Sequence, residues 1–132
     1  MAVINVTDGN GYAYTYDATG KLKTVRPATA TATSSSYTSN TTAERVTYNY
    51  DSYNRLSKIF TASTAYVLAY DSFGNTASVS VGDVALASYT YNSYNGKLNK
   101  ITYGNGYIEE HVYDTLENLS EIWYNLSRGG FL

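Results

Sequence analysis

The step Tyr-Asp or Tyr-Asn recurs in one frame five times along this chain, at Tyr16-Asp17, Tyr50-Asp51, Tyr70-Asp71, Tyr91-Asn92 and Tyr113-Asp114. Successive copies stand 34, 20, 21 and 22 residues apart. A period near 20 residues denotes an array of one small supersecondary unit, which cannot bury its apolar face alone and must stack on its neighbours. Before each step, side chains alternate: Tyr12, Tyr14 and Tyr16; Val46, Tyr48 and Tyr50; Tyr66, Leu68 and Tyr70. That is period two, so this arm is a strand. Asp17, Asp51, Asp71, Asn92 and Asp114 can each accept a hydrogen bond from the backbone N–H two residues on, the Asx turn that ends a strand. Three residues beyond them sit Gly20, Asn54, Gly74, Asn95 and Glu117. Gly and Asn tolerate positive φ, so a left-handed residue is expected in four of the five turns. Glu117 is either a strained exception or part of a different turn.

The second arm opens on an aliphatic residue and carries another three positions later: Leu22/Val25, Leu56/Ile59, Leu98/Ile101 and Leu119/Ile122, with Thr76/Val79 in the third copy. A spacing of three cannot keep both on one face of a regular strand. Either a bulge intervenes or the first residue tucks under the turn, and its position against the turn favours the tuck. Between units, Tyr103-Gly104-Asn105-Gly106-Tyr107 suits a type I′ turn. Asp8-Gly9-Asn10-Gly11-Tyr12 repeats that signal, and Gly82-Asp83 serves the third connection. Strands are expected at 12–16, 21–26, 44–50, 55–61, 65–70, 75–81, 85–91, 97–103, 107–113 and 118–124. The fold class is therefore all-β, an antiparallel meander of about ten strands in five hairpins. One array covers 1–132, with units near 9–26, 44–61, 65–81, 85–103 and 107–124. The long first interval holds an Ala/Thr/Ser-rich insertion, 27–43, which reads as a linker or as a protruding hairpin with its tip at 34–36.

Charge excludes several function classes. Nine basic and eleven acidic residues leave a net charge of −2, which argues against nucleic acid as a partner. No stretch is long and apolar enough for a membrane span, and the first residues lack the basic and apolar regions of a secretion signal. With no cysteine and one histidine, His111, neither a thiolate metal site nor a histidine-based triad can be assembled. His111, beside Glu109 and Glu110, reads as a surface or packing residue. Equivalent aspartates on stacked hairpins lie two strands apart, roughly 9.5 Å. A retaining carboxylate pair needs about 5–5.5 Å. No catalytic residue, cofactor or metal is expected, and the turn residues read as structural. The tyrosine ladders, 16 Tyr in all, could stack on sugars, but fixed period-two positions suit cross-strand packing better.

The pattern Tyr-x-Tyr-Asp-x-x-Gly-x-Leu-x-x-Val of the first unit, preceded by Gly-Asn-Gly-Tyr, resembles the YD repeat of Rhs proteins. Related repeats occur in teneurins and in the shell-forming subunits of insecticidal toxin complexes. The resemblance runs from Gly9 to Tyr124. It implies hairpins laid side by side in a curved sheet section of a hollow shell, without enzymatic activity. It also implies a secreted or bacterial cell-surface setting. Adjacent repeats or an enclosed toxin domain in a longer protein would be the partners. Full shells use many more than five repeats, so this segment cannot enclose a toxin by itself. The Asp-Pro-x-Gly-Leu-like cleavage motif of that family has no counterpart, since the one proline is Pro27. The chain reads as a fragment or a very short array. Its open edges, above all 118–124 with Leu119, Ile122, Trp123 and Tyr124, lead to an expectation of self-association through edge strands or sheet faces.

Overall fold

The structure, a computed structural model, describes residues 2–4, 10–30, 38–39 and 44–126. Among these residues there are twelve strands and no helix, hence none long and apolar enough to cross a membrane. The chain falls into two compact units, Met1–Tyr66 and Val67–Leu132. The first holds β1 (Ala2–Ile4), β2 (Asn10–Tyr16), β3 (Leu22–Thr29), β4 (Thr38–Ser39), β5 (Val46–Tyr50) and β6 (Leu56–Phe60). Strand β7 (Ala65–Tyr70) spans the division, and the second unit continues with β8 (Thr76–Val81), β9 (Val84–Tyr91), β10 (Leu98–Tyr103), β11 (Tyr107–Tyr113) and β12 (Leu119–Leu126). The fold is an all-β antiparallel meander, in which β2, β3 and β5–β12 are the ten arms expected from the repeat and pair in chain order.

Strand β3 runs on through Pro27 to Thr29, so the insertion departs later than its composition suggests, and β4 pairs with it as Ala28↔Ser39 and Thr29↔Thr38. The expected tip at 34–36 lies outside the described residues. So does much of the first glycine-rich turn. Its Asn10-Gly11 step belongs to β2, where the two residues face Thr29 and Ala28.

The spacing of three comes from a bulge, not from a residue tucked under the turn. In the first hairpin Thr15 faces Thr24 while Tyr16 faces Leu22, leaving Lys23 as an extra residue. The same slip leaves Ser57 extra between Asn49↔Lys58 and Tyr50↔Leu56, Asn99 between Thr90↔Lys100 and Tyr91↔Leu98, and Ser120 between Val112↔Glu121 and Tyr113↔Leu119. One inserted residue turns an odd spacing into an even one. Tyr14 therefore faces Val25 just as Tyr16 faces Leu22, and all four side chains share one face. Two of the inserted residues are serines, whose hydroxyls donate to the opposing strand, Ser57 to the Asn49 carbonyl at 3.2 Å and Ser120 to the Val112 carbonyl at 3.1 Å.

The connection between β10 and β11 is also not a type I′ turn. Gly106 has φ +88° and Asn105 does not share the positive sign, while the Gly106 N–H bonds to the Tyr103 carbonyl at 2.9 Å. That is a three-residue loop ending in one left-handed glycine. Gly104 has a different task. Its N–H bonds to the Leu86 carbonyl at 2.8 Å, where β9 carries a bulge of its own opposite Val79 and Ser80. The approach is so close that a Cβ on Gly104 would overlap the Ala85 carbonyl oxygen.

Burial is shallow. Among the described residues only Ala13, Ala28 and Ala87 are buried apolar side chains, and no large side chain is fully enclosed. A single sheet layer leaves most of the ladder residues half-buried. Stability must then come from side chains that tie one hairpin to the next.

Gly104→Ala should be destabilising by about 1–3 kcal/mol, as overpacking against a backbone that cannot retreat. Gly106→Asn should cost little, because a Cβ there meets open space and Asn accepts the left-handed conformation. Chemical denaturation of the two variants checks this; equal losses would mean that Gly104 is not held against β9.

Candidate functional site

Four of the five turns are each organised by one side-chain oxygen. Asp17 Oδ1 accepts the N–H of Thr19 at 2.8 Å and of Lys21 at 2.9 Å. Asp51 does the same for Tyr53 and Arg55, both at 2.9 Å, Asp71 for Phe73 and Asn75, both at 2.9 Å, and Asp114 for Leu116 at 2.9 Å and Asn118 at 2.8 Å. The second oxygen holds the residue four positions on. Arg55 reaches Asp51 Oδ2 through Nε at 2.8 Å, and the side-chain amides of Asn75 and Asn118 reach Asp71 and Asp114 at 3.1 and 3.2 Å. These bonds hold the carboxyls of Asp51 and Asp114 below the usual range, chiefly through the Arg55 and Asn118 N–H groups, and that of Asp17 chiefly through the Thr19 hydroxyl.

Positive φ falls on Gly20 (84°), Asn54 (64°), Gly74 (91°) and Glu117 (64°), and in the fourth turn on Gly96 (71°) in place of Asn95. That turn has one more residue between Asn92 and Leu98 than the others have between Asp and the aliphatic, which moves the left-handed position along by one. Asn92 accepts the Tyr94 N–H at 2.8 Å, and Asn95 takes over the remaining duty by accepting the Lys97 N–H at 3.1 Å. Glu117 is a left-handed residue with a Cβ, in a region L side chains seldom occupy.

The residues gather at a joint between consecutive hairpins. The phenol of the Tyr-Asx step donates to the carbonyl of the first residue of the preceding second arm: Tyr50 to Leu22 at 2.9 Å, Tyr91 to Thr76 at 2.9 Å, Tyr113 to Leu98 at 2.8 Å. Backbone register is equally constant. Thr24 faces Thr47, Ser78 faces Ser88 and Lys100 faces Glu110, each the residue four before the Asx position. Where a lysine precedes the aliphatic residue, it reinforces the joint. Lys21 lies 4.9 Å from the Tyr50 ring centroid and donates to the Asn54 carbonyl. Lys97 lies 5.1 Å from the Tyr113 ring, donates to the Glu117 carbonyl and stands 3.3 Å from its carboxylate. The left-handed residue thus offers its carbonyl to the preceding hairpin, and Glu117 is held there despite its Cβ.

Two features escape a repeat-based reading. Glu109 and His111 occupy ladder positions held elsewhere by Tyr12/Tyr14, Val46/Tyr48, Tyr66/Leu68 and Ala87/Tyr89. Glu109 is buried, accepts the Tyr103 hydroxyl at 2.7 Å and lies 2.6 Å from His111 Nε2, with a further bond from Tyr124. His111 is therefore part of an interior polar cluster rather than the surface. The bond to His111 first, and that from Tyr103 next, hold the Glu109 carboxyl below its ordinary value, and Glu109 in turn pushes the Tyr103 phenol up to about 12. The available signal was the departure from apolar ladder residues at both positions. Secondly, the residue two beyond each Asx points outward. Tyr53, Phe73, Tyr94 and Leu116 are 77–98% exposed. In the second unit Phe73 and Tyr94 flank an open groove of about 640 Å³, also lined by Asn75, Tyr89 and Asn92. Among the described residues no three His, Cys, Asp or Glu side chains converge as metal ligands.

No family model and no curated protein matches this sequence. A chain in the crystal structure of TcdB2-TccC3-Cdc42 matches with a TM-score of 0.68 over 89% of this chain at 16% identity. The two share a fold. This chain spans 6% of the length of that matched chain.

Tyr113→Phe should lower stability by about 0.5–1.5 kcal/mol, the worth of one internal hydrogen bond, with the ring retained. Thermal or chemical unfolding measures it, and an unchanged midpoint would remove the phenol from the joint. The pH dependence has a definite sign. Asp17, Asp51, Asp114 and Glu109 have folded pKa values below their unfolded ones, near 3.9 for Asp and 4.3 for Glu, so their contribution is full above those values. It is lost as pH falls through the folded values. Asp51→Asn should therefore be less stable than the parent at pH 7 and should lose less on acidification below pH 4. Parallel melting curves across that range decide.

Proposed function

We propose that this chain is a section of a non-catalytic β-scaffold of the Rhs type, contributing wall rather than chemistry to a larger protein. The observation that carries this reading is the joint. The Tyr-Asx phenols at Tyr50, Tyr91 and Tyr113 tie one hairpin to the next, and the Asx oxygens are engaged by backbone N–H groups within their own turns. Residues so committed are structural turn positions: Asp17, Gly20, Asp51, Asn54, Asp71, Gly74, Asn92 and Asp114, with Asn95 and Gly96 sharing the fourth turn. The likeness to a chain of TcdB2-TccC3-Cdc42 supports a toxin-associated scaffold, secreted or at a bacterial surface. Adjacent repeats, and a toxic domain elsewhere in the same protein, would then be its partners. Adhesion at a cell surface is the other use of such a wall.

A second reading rests on the groove between the third and fourth turns. Phe73 (84% exposed) and Tyr94 (98% exposed) present aromatic faces beside the amides of Asn75 and Asn92, a surface on which a sugar ring could stack. The ladder tyrosines, which half-bury in the sheet, are not the binding faces in this reading. An array of glycans and cell-wall polymers separates the two. The scaffold reading expects no saturable binding. Saturable binding abolished by Phe73→Ala or Tyr94→Ala, with the melting temperature unchanged, would establish the second reading instead.

A further inference from the structure

Three positive charges gather on the face of the first unit opposite the tyrosine ladder, at places where the repeat itself calls for none. Lys23 is the extra residue of the β3 bulge, and its counterparts in the frame are Ser57, Ala77, Asn99 and Ser120. Arg26 follows Val25, whereas Phe60, Ser80, Thr102 and Trp123 follow the equivalent Ile59, Val79, Ile101 and Ile122. Arg45 stands six before its Asx residue, a place taken elsewhere by Gly11, Ala65, Leu86 and Ile108. Every other copy of the hairpin does without a charge at these three positions.

All three nevertheless line one groove of about 450 Å³, with Thr15 and Thr24 among its other walls. Register accounts for this. Ala13 faces Arg26 and Thr15 faces Thr24 across β2 and β3, while Thr24 faces Thr47 and Val25 faces Val46 across β3 and β5. One further step of the second pairing brings Arg26 opposite Arg45. Side chains so placed stand about 4.5–5.5 Å apart at Cβ, and like charges there destabilise a sheet. Other cations of this chain are matched: Arg55 with Asp51, Lys97 with Glu117, and Lys21 with the Tyr50 ring and the Asn54 carbonyl. Among the described residues no carboxylate lines the groove, and none of Lys23, Arg26 and Arg45 has an ion-pair partner. The walls also offer a hydroxyl. Thr15 Oγ1 and Thr24 Oγ1 lie 2.6 Å apart, so one donates to the other and the second keeps a proton to give outward.

We propose that this groove binds a compact anion carrying clustered phosphoryl groups. Two guanidinium forks, an ammonium and a hydroxyl donor call for a ligand with several charges and many acceptor oxygens close together. Adjacent phosphoryl groups supply both, and guanidinium forks match their oxygens in pairs. A single carboxylate would answer one fork and leave the remaining cations in mutual repulsion. The site needs only β2, β3 and β5, and so stands whether or not the chain serves as a wall.

Calorimetric titration of the full chain with tripolyphosphate at constant ionic strength is the test. Saturable one-to-one binding is expected, weakened at least about tenfold by Arg26→Gln and by Arg45→Gln. Lys58→Gln removes the same charge from outside the groove and should leave the affinity within about twofold of the parent. Absence of saturable binding, or an equal loss with Lys58→Gln, would overturn the proposal. Citrate binding as tightly as tripolyphosphate would overturn the phosphoryl assignment, and a glycerol-phosphate polymer binding more tightly per phosphate would overturn the clustering. Melting curves supply a second measurement. In anion-free buffer Arg45→Gln should melt no lower than the parent, because a like-charge contact is removed, and added tripolyphosphate should raise the parent's midpoint well above that of the variant. A lower midpoint for Arg45→Gln without the anion would show that the fold itself holds these cations, and the site would be refuted.

Discussion

The structure depends on one hydrogen bond repeated between neighbours, from the Tyr-Asx phenol to a main-chain carbonyl next to a bulge. A single-layer sheet cannot rely on a deep core, and the described residues bury no large side chain fully. The extra residue in the second arm puts Leu and Val, Leu and Ile, on the ladder face together. It also disturbs the ladder just where the next hairpin's phenol arrives. The bulge and the tyrosine thus belong to one device: the first creates an even apolar face and a carbonyl in need of a partner, and the second satisfies that carbonyl while covering the face.

The turn oxygen does complementary work. By holding two N–H groups, it fixes the loop that sets where the left-handed carbonyl points, and that carbonyl is the one Lys21 and Lys97 reach from the hairpin before. Turn chemistry and inter-hairpin contact are consequently coupled. This accounts for a glutamate at a left-handed position: Glu117 supplies both a carbonyl and a carboxylate to Lys97, which offsets a backbone conformation that Gly or Asn would adopt more readily.

Strand positions were legible because alternation and Asx turns are local signals that survive in a single sequence, and the ten arms fall within a few residues of their expected limits. The bulge was legible only as an anomaly, the spacing of three, since sequence alone does not say which of two geometric solutions a backbone takes. The shift from Asn95 to Gly96 was visible as a count of residues between Asn92 and Leu98, yet its consequence depends on which N–H the turn leaves over. Strand β1 carried almost no signal: three residues have no period, and only the docking register on β2 reveals what they do. The Glu109 cluster was hidden for a different reason. A charged pair in a strand suggests solvent, and only the half-buried ladder position converts it into an interior group with Tyr103 and Tyr124 as partners.

The two ends of the array differ in a way that bears on assembly. At the start, β1 fills the register of a preceding second arm, so the first ladder is closed by the chain itself. At the other end, β12 offers Leu119, Ile122, Tyr124 and an unprotected row of backbone groups, with Glu121 as its one charged residue. Edge strands are usually hazards that proteins blunt with proline, lysine or a covering loop. Beside β12 the joint register repeated at Thr24↔Thr47, Ser78↔Ser88 and Lys100↔Glu110 defines how a further Tyr-Asx arm of the same kind would lie, with Glu121 and Ile122 at its four- and five-residue positions.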